Sequence, residues 1–177
     1  MIKISGGKYR SRMIEVPPSL TVPTKAMTRE AIASAIKKNI PEARVLDLFA
    51  GSGALGIEML SRGASSATFV DASKEVVNII KNNLSSLKET HYELLNEDFR
   101  GALSILKEPY DIVFLDPPYK EKGWYQEAIH LLLEKELLKD NACIVLEYEG
   151  EIVVDETPFR EVRSYRYGRS KIKILWR

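Results

Sequence analysis

The sequence has little of what several classes of protein need. Its 177 residues include one cysteine, Cys143, and two histidines, His91 and His130. One thiol cannot form a disulfide framework or a cysteine zinc site, and two distant histidines do not suggest a histidine-rich site, so we predict no bound metal. No apolar run reaches the roughly 18 residues of a membrane span, and the basic N-terminus lacks the apolar stretch of a signal peptide. These absences predict a cytoplasmic protein with no membrane partner.

Charge is nearly balanced but unevenly distributed. The chain has 26 basic and 25 acidic residues, for a net charge of +1. Residues 1–40 hold eight basic and two acidic side chains, residues 160–177 hold seven and one, and residues 41–159 hold 11 and 22. An acidic body therefore carries a basic segment at each end. With 45% apolar residues, the chain as a whole can bury the core of one domain.

Strand-like and helix-like segments alternate along most of the chain. Short apolar runs predict strands at 44–49, 67–71, 92–95, 111–115 and 142–147. Amphipathic stretches predict helices at 25–39, 54–60, 74–84, 99–106 and 124–135, and Ser73 could cap the third of them. Segments 160–165 and 171–176 predict an antiparallel pair joined around Gly168. This pattern predicts an α/β fold with a mainly parallel sheet and helices on both faces.

The first 23 residues differ from this pattern. They contain Gly6-Gly7, Pro17-Pro18 and Pro23, which predict a short hairpin or extended element rather than a helix. We therefore divide the chain into a basic hairpin-like extension, 1–23, and a main domain, 24–177.

A glycine-rich loop follows the first strand of the main domain. Gly51, Gly53 and Gly56 form the pattern G-x-G-x-x-G between a strand and a helix, as a nucleotide-binding loop requires. Asp71, at the end of the next strand, is placed to accept hydrogen bonds from ribose hydroxyls. The alternative is a tight strand–helix turn beside a surface carboxylate.

Two further acids bear on the identity of the ligand. Asp47 lies just before the loop, where it would repel a pyrophosphate but would suit the ammonium and sulfonium of S-adenosylmethionine. It could equally be a structural group that accepts loop amides. Asp98, after the third strand, could accept from an adenine amino group or could cap the next helix.

The fourth strand runs into Asp116-Pro117-Pro118-Tyr119. Two prolines fix the backbone and remove two amide donors, which leaves a rigid loop of acceptors and one aromatic ring. Such a loop can hold an exocyclic amino group through its N–H bonds while Tyr119 stacks on the base, and positioning of this kind lowers a reaction barrier.

These motifs resemble those of a known family. Asp47-x-Phe49-x-Gly51-x-Gly53 with Asp116-Pro-Pro-Tyr119 resembles the amino-group methyltransferases that use S-adenosylmethionine. More of the chain is similar to the bacterial 16S rRNA (guanine-N2) methyltransferases of the RsmD type. The additional matches are Ile4-Ser-Gly-Gly7, Arg10-Ser-Arg12, Pro23-Thr24, Arg29-Glu30 and Tyr167-Gly168.

The resemblance implies a Rossmann-like class I methyltransferase fold with seven strands, the last two forming a hairpin beside the fifth. It implies S-adenosylmethionine as cofactor, with S-adenosylhomocysteine as product, and ribosomal RNA within an assembling small subunit as substrate. We expect a monomer or a weak dimer. The implied catalytic residues are Asp116, Pro117 and Tyr119. The implied cofactor-binding residues are Asp47, Phe49, Gly51, Gly53, Gly56, Asp71 and Asp98.

The basic ends of the chain predict where RNA binds, because clustered lysines and arginines neutralise phosphates. The predicted contacts are Lys8, Arg10, Arg12, Arg29, Arg166 and Arg169, and Tyr9 could stack on a base. The alternative for any one of them is a solvated surface residue. The family usually carries Arg before Pro-Thr and an acidic–basic pair soon after, where this sequence has Val22, Ala26 and Met27.

Three other functions stay open from the sequence. The Asp-Pro-Pro-Tyr motif is shared with DNA adenine-N6 methyltransferases, although the chain leaves little room for a DNA-reading domain. A glycine loop also occurs in NAD-dependent oxidoreductases, against which Asp47 and the 116–119 loop argue. A non-catalytic RNA-binding assembly factor could retain the same fold.

Overall fold

The main sheet has seven strands and lies between two layers of helices. A computed structural model of the protein describes residues 1–20 and 23–177. Its strands are β1 (Ile2–Lys3), β2 (Met13–Ile14), β3 (Arg44–Asp47), β4 (Ser66–Val70), β5 (Tyr92–Leu95), β6 (Tyr110–Leu115), β7 (Leu138–Tyr148), β8 (Glu161–Tyr167) and β9 (Ser170–Trp176). Its α-helices are α1 (Ala26–Ala35), α2 (Ala54–Ser61), α3 (Lys74–Ser86), α4 (Phe99–Ile105) and α5 (Trp124–Glu134).

The strand order is β5-β4-β3-β6-β7-β9-β8. The first five of these strands run parallel, whereas β9 is antiparallel to both β7 and β8. The predicted α/β class, the seven strands and the final hairpin beside the fifth parallel strand are therefore confirmed. The chain leaves β3 toward β4 on one side and later returns as β6 on the other, so β3 and β6 flank the switch point where such sheets bind ligands.

Each face of the sheet buries its own apolar cluster. On one face, Ile32 of α1, Ile57 of α2 and Ile80 of α3 pack over the sheet. On the other face, Leu103 of α4 and Ile129 of α5 do the same. Because strand side chains alternate between faces, the fully buried runs in β3 and β6 supply both clusters.

The basic N-terminal segment folds as a hairpin, as its sequence predicts. Strands β1 and β2 pair antiparallel, and a short 3-10 turn, Gly7–Tyr9, lies between them. Ile4 and Ile14 are buried in the apolar cluster that α1, α2 and α3 cover. The hairpin is therefore packed against the main domain as well as covalently connected to it.

Two predicted boundaries differ from the structure by four residues, more than the others do. The first helix ends at Ala35, and a 3-10 turn, Lys37–Asn39, continues the segment. Strand β7 begins at Leu138 rather than near residue 142, because Leu138 pairs with Tyr110 across an irregularity in the ladder. Exposed polar residues at the start of that strand hide its pattern in the sequence. Within the described ranges, 1–20 and 23–177, every helix is too short or too polar to cross a membrane.

Candidate active site

The glycine loop turns sharply from β3 into α2. Gly53 is the residue before α2 and has a left-handed φ of 80°, a conformation that favours glycine. Gly56 lies in the first turn, where an added Cβ would overlap the ring of Phe69 in β4. Helix α2 therefore lies so close to the sheet that a larger residue at 56 would push it away. The loop brings backbone, not side chains, to the carboxyl end of β3.

Asp71 closes the loop from the neighbouring strand. Its Oδ2 accepts the amide of Gly51 at 3.1 Å, and its Oδ1 accepts the amide of Ser73 at 3.0 Å. Each carboxylate oxygen has two lone pairs, so both can accept one further donor. The structure thus brings Asp71 and the glycine loop together, as the spacing predicts. Ser73 caps α3 by accepting from the amide of Val76, which also agrees with its predicted place.

Asp47 is buried beneath the loop, with 2% of its surface exposed. Its Oδ2 accepts the amide of Gly56 at 3.1 Å. Burial raises the pKa of Asp47 to about 7, and this hydrogen bond offsets only part of the effect, while the nearby carboxylates of Asp71 and Glu147 raise the pKa further. A cation above the loop would favour the ionised form, so the site suits a positively charged ligand.

An aromatic cluster lies beside the loop on the other face of the sheet. The ring centroid of Phe49 is 5.2 Å from that of Phe99 and 6.1 Å from that of Trp124. The guanidinium of Arg100 covers Phe99 and Trp124, at 4.6 Å and 5.2 Å from their centroids. Phe49 is half-buried, so one edge of the cluster borders the loop. This cluster supplies an apolar wall next to Asp98.

Asp98 is the residue before α4 and accepts the amide of Gly101 at 2.8 Å. One carboxylate oxygen of Asp98 therefore caps α4, as the helix-capping alternative predicts. The other oxygen lies 3.6 Å from Arg100, and the residue is exposed. A hydrogen bond from an adenine amino group to Asp98 stays a prediction.

The loop 116–119 follows β6 directly. Pro117 is buried, whereas Tyr119 is 66% exposed, with the ammonium of Lys122 5.2 Å from its ring centroid. The ring of Tyr119 is therefore accessible to a planar base. Asp116 is exposed, but the protein around its carboxyl group still removes part of its hydration. This loss of hydration, together with the charges of Glu147 and Asp47, raises the pKa of Asp116 well above its ordinary value.

Glu147 is a site residue that the sequence interpretation did not assign. It lies near the end of β7, and its carboxylate accepts the hydroxyl of Thr24 at 2.6 Å and that of Ser170 at 3.1 Å. A signal was available in the sequence, because Glu147 ends a predicted strand next to the one that carries Asp116. Without the order of the strands, a strand-end acid has no neighbour to indicate its role.

Three carboxylates thus lie close together at the carboxyl ends of three adjacent strands. Asp47 ends β3, Asp116 follows β6 and Glu147 lies near the end of β7. The charge of Glu147 raises the pKa of both Asp47 and Asp116, and the charge of Asp47 raises the pKa of Asp116 further, as expected for neighbouring carboxylates. Over residues 1–20 and 23–177, no group of three or more His, Cys, Asp or Glu side chains is arranged to hold a metal ion. The arrangement is suited to an organic cation and to N–H donors.

Five of the six predicted RNA contacts are on the surface. Lys8, Arg10, Arg12, Arg166 and Arg169 are all exposed. Arg29 is not, since only 1% of it is accessible and its Nε lies 3.2 Å from Glu58. The prediction that Arg29 contacts RNA is therefore wrong in this structure, because a buried guanidinium paired with a carboxylate cannot reach a phosphate. Val22 lies outside the described residues, while Ala26 and Met27 are exposed at the start of α1.

Tyr9 holds the hairpin in place. Its hydroxyl donates to Glu89 at 2.9 Å, and Lys8 lies 3.5 Å from the same carboxylate. Burial would raise the pKa of Glu89, but hydrogen bonds from the His91 amide, Tyr9 and the Thr90 amide outweigh it and lower the pKa to about 2. Glu89 therefore stays ionised and fixes the basic turn at neutral pH. This bond occupies the hydroxyl of Tyr9 and leaves its half-buried ring little surface for stacking.

Comparisons with known proteins cover nearly the whole chain. The family model described as conserved hypothetical protein 95 matches residues 2–176. Ribosomal RNA small subunit methyltransferase D of Escherichia coli (strain K12) is 38% identical over 151 residues, which span 85% of this chain and 76% of that protein. The protein of the same name from Haemophilus influenzae is 38% identical over 158 residues, which span 85% and 80%.

A solved structure shows the same similarity in three dimensions. The Escherichia coli protein yhhF matches with a TM-score of 0.88 and 35% identity, over 99% of this chain and 97% of that one. The likeness therefore includes the N-terminal hairpin and the final strand pair as well as the central sheet.

Proposed function

Because this chain belongs to the family of ribosomal RNA small subunit methyltransferase D, we propose that it transfers a methyl group from S-adenosylmethionine to the N2 amino group of a guanine in 16S ribosomal RNA. The observation that carries the proposal is the position of the 116–119 loop, next to Asp47 and the glycine loop. An acceptor-rich clamp for an amine lies beside a site for a cationic ligand. The names of the relatives do not favour the DNA adenine or non-catalytic alternatives.

The residues around the glycine loop fit S-adenosylmethionine. Gly51 and Gly53 carry no side chains, and the close packing of Gly56 on Phe69 holds the start of α2 against the sheet, so the loop presents mainly backbone at the end of β3. Asp71 keeps acceptor capacity for ribose hydroxyls, and Asp98 and Phe49 border the place of the adenine. Asp47 balances the positive charge of the methionine end. The bound cofactor supplies an electrophilic methyl group on sulfur.

Asp116 and Pro117 prepare the amine. The Asp116 carboxylate and the Pro117 carbonyl accept the N2–H bonds of the guanine and point the nitrogen at the methyl carbon. As the N–C bond forms and the C–S bond breaks, the nitrogen gains positive charge, which the neighbouring carboxylate stabilises. Asp116 then accepts the proton that the nitrogen loses. Tyr119 stacks on the base and holds it in the plane that this geometry needs.

Methyl transfer to defined nucleic acids tests the proposal. The protein is incubated with labelled S-adenosylmethionine and with 16S rRNA, assembled small subunits or DNA, and the modified nucleoside is identified by mass spectrometry. We expect N2-methylguanosine from the ribosomal substrates and no label in DNA. Methylation at any other atom, or of DNA alone, would overturn the proposal. Comparing naked RNA with the particle also tests the expected assembling-subunit substrate.

Variants of the clamp separate chemistry from cofactor binding. Asp116→Ala should abolish transfer while S-adenosylmethionine still binds in calorimetry. Asp140→Ala is the matched control, since it removes an exposed carboxylate from the polar start of β7. Full turnover by Asp116→Ala would contradict the clamp assignment.

A further inference from the structure

Glu147 lies beside Asp116 at the edge of the sheet. Strands β6 and β7 are parallel, and their last paired residues are Leu115 and Leu146. The next residues along each strand are Asp116 and Glu147, and neighbouring residues in register point to the same face. Two carboxylates therefore stand side by side where the clamp receives its base.

Hydroxyl groups from distant parts of the chain orient the Glu147 carboxylate. Thr24, which precedes α1, donates to Oε2 at 2.6 Å, and Ser170 of β9 donates to Oε1 at 3.1 Å. The hydroxyl of Tyr125 donates to the Glu147 carbonyl at 2.6 Å, which fixes the strand end from the other face. Each carboxylate oxygen keeps a second acceptor position. Glu147 is thus a rigid acceptor rather than a loose surface acid.

The two carboxylates differ in their hydrogen-bond partners. Burial raises the pKa of Glu147, while the hydroxyls of Thr24 and Ser170 and the positive charge of Arg29 oppose that rise. In the described part of the chain, Asp116 accepts no such side-chain hydrogen bond, and its pKa is raised well above the ordinary value. The two hydroxyl donors therefore favour the ionised form of Glu147, in which it can accept a further N–H donor.

We propose that Glu147 selects guanine by accepting the hydrogen bond of its ring N1–H, while Asp116 holds the neighbouring N2 amino group. The proposal rests on the proposed function and assigns the base specificity of that site. Guanine presents two adjacent donors, N1–H and N2–H, on its Watson–Crick edge, and two adjacent carboxylates match them. Adenine and cytosine present an unprotonated ring nitrogen beside their amino group, so Glu147 would face a lone pair. A carboxylate that the bound base covers, and that then faces a lone pair instead of an N–H group, disfavours that base strongly.

An RNA with 2-aminopurine at the mapped target position tests this assignment. This base carries the same 2-amino group as guanine, but its ring N1 has no proton. We measure kcat/KM for guanine and 2-aminopurine substrates with the wild-type protein and with Glu147→Gln. The glutamine amide can donate to the bare N1, so the preference for guanine should shrink by roughly tenfold or more. The missing O6 of 2-aminopurine affects both proteins alike and cancels in this comparison.

Two matched variants keep the carboxylate. Thr24→Val and Ser170→Ala each remove one hydroxyl from Glu147, so they should slow both substrates and leave the preference near its wild-type value. Calorimetry with S-adenosylmethionine confirms that each variant is folded. If Glu147→Gln slows both bases in proportion, Glu147 has only a structural role and the assignment is overturned. Absence of any N2 methylation by the wild-type protein would instead refute the proposed function.

Discussion

Arg29 and Glu58 form a buried ion pair that joins three elements of the fold. The Nε of Arg29 lies 3.2 Å from Oε1 of Glu58, and neither side chain is more than 1% exposed. The same Glu58 accepts the amide and hydroxyl of Ser5 at 2.6 Å and 2.7 Å, and Arg62 at 3.2 Å. Arg29 also donates to the carbonyl of Thr24 at 2.6 Å. One pair thus ties the hairpin, the start of α1 and α2 together.

Removing one partner of this pair should destabilise the protein strongly. Glu58→Ala leaves the Arg29 guanidinium buried without its carboxylate, at an expected cost of about 3–5 kcal/mol in the free energy of unfolding. Urea denaturation measures it. Glu30→Ala is the control, because Glu30 is 63% exposed and lies 3.9 Å from Arg62, so its loss should cost less than about 1 kcal/mol. Equal costs for the two variants would contradict the anchoring role.

Asp47 should lower stability at neutral and alkaline pH when no ligand is bound. The pKa of Asp47 is about 7, against an ordinary 3.8, so folding favours the protonated form. The stabilising contribution of protonated Asp47 to the free energy of unfolding is complete below pH ~4 and is lost as pH rises through about 7. Asp47→Asn should therefore stabilise the ligand-free protein by up to about 4 kcal/mol at pH 8 and by little at pH 4. Urea titrations at several pH values measure the difference, and a pH-independent difference would be the contrary result.

The same carboxylate should make S-adenosylmethionine binding depend on pH. The cationic ligand needs ionised Asp47, so its affinity should fall by roughly tenfold per pH unit below 7. Calorimetry between pH 5 and 7 measures this, with S-adenosylhomocysteine as the control ligand because its sulfur is uncharged. Asp47→Asn should bind more weakly and with a flatter pH dependence. Wild-type affinity that stays constant over this range would refute the role of Asp47.

Gly7 should be needed for seating the hairpin against α2. Its φ is 78°, and an added Cβ would overlap the carbonyl of Ser61. Gly63 has a φ of 112° with open space around it, so Gly63→Ala carries backbone strain without the overlap. We expect Gly7→Ala to lower RNA affinity more than Gly63→Ala, because the turn that carries Lys8 is displaced. Filter binding measures RNA affinity, and unchanged S-adenosylmethionine binding shows that the main domain is intact.

The sequence predicts those parts of the fold and site whose signals are local. The strand before the glycine loop is a short apolar run, Ser73 stands before a helical pattern, and Asp71 follows a strand at the usual spacing. All three lie where these patterns place them. Each depends on residues within about twenty positions of one another, so one sequence is enough to find it.

The remaining features depend on tertiary partners. Arg29 looks like any other basic residue of the N-terminal segment until Glu58, 29 positions away, is brought against it. The role of Glu147 becomes apparent only when the fold brings it next to Asp116 and Thr24, which lie in other parts of the chain. Burial and charge pairing of this kind arise from packing between elements, so local sequence patterns do not predict them.

Exposed arginines at the two ends of the chain should contribute most to RNA affinity. Within residues 1–20 and 23–177, Arg10 and Arg169 are exposed and form no salt bridge, whereas Lys173 lies within 2.5 Å of Glu156. An unpaired cation releases counterions when it meets a phosphate, while a paired one has already lost much of that capacity. Arg10→Ala and Arg169→Ala should each reduce the slope of log affinity against log salt by about 0.9, and Lys173→Ala by less. Filter binding at several salt concentrations measures the slopes. If Lys173→Ala changes the slope as much as the arginine variants, RNA contacts this surface without regard to the pairing seen in the structure.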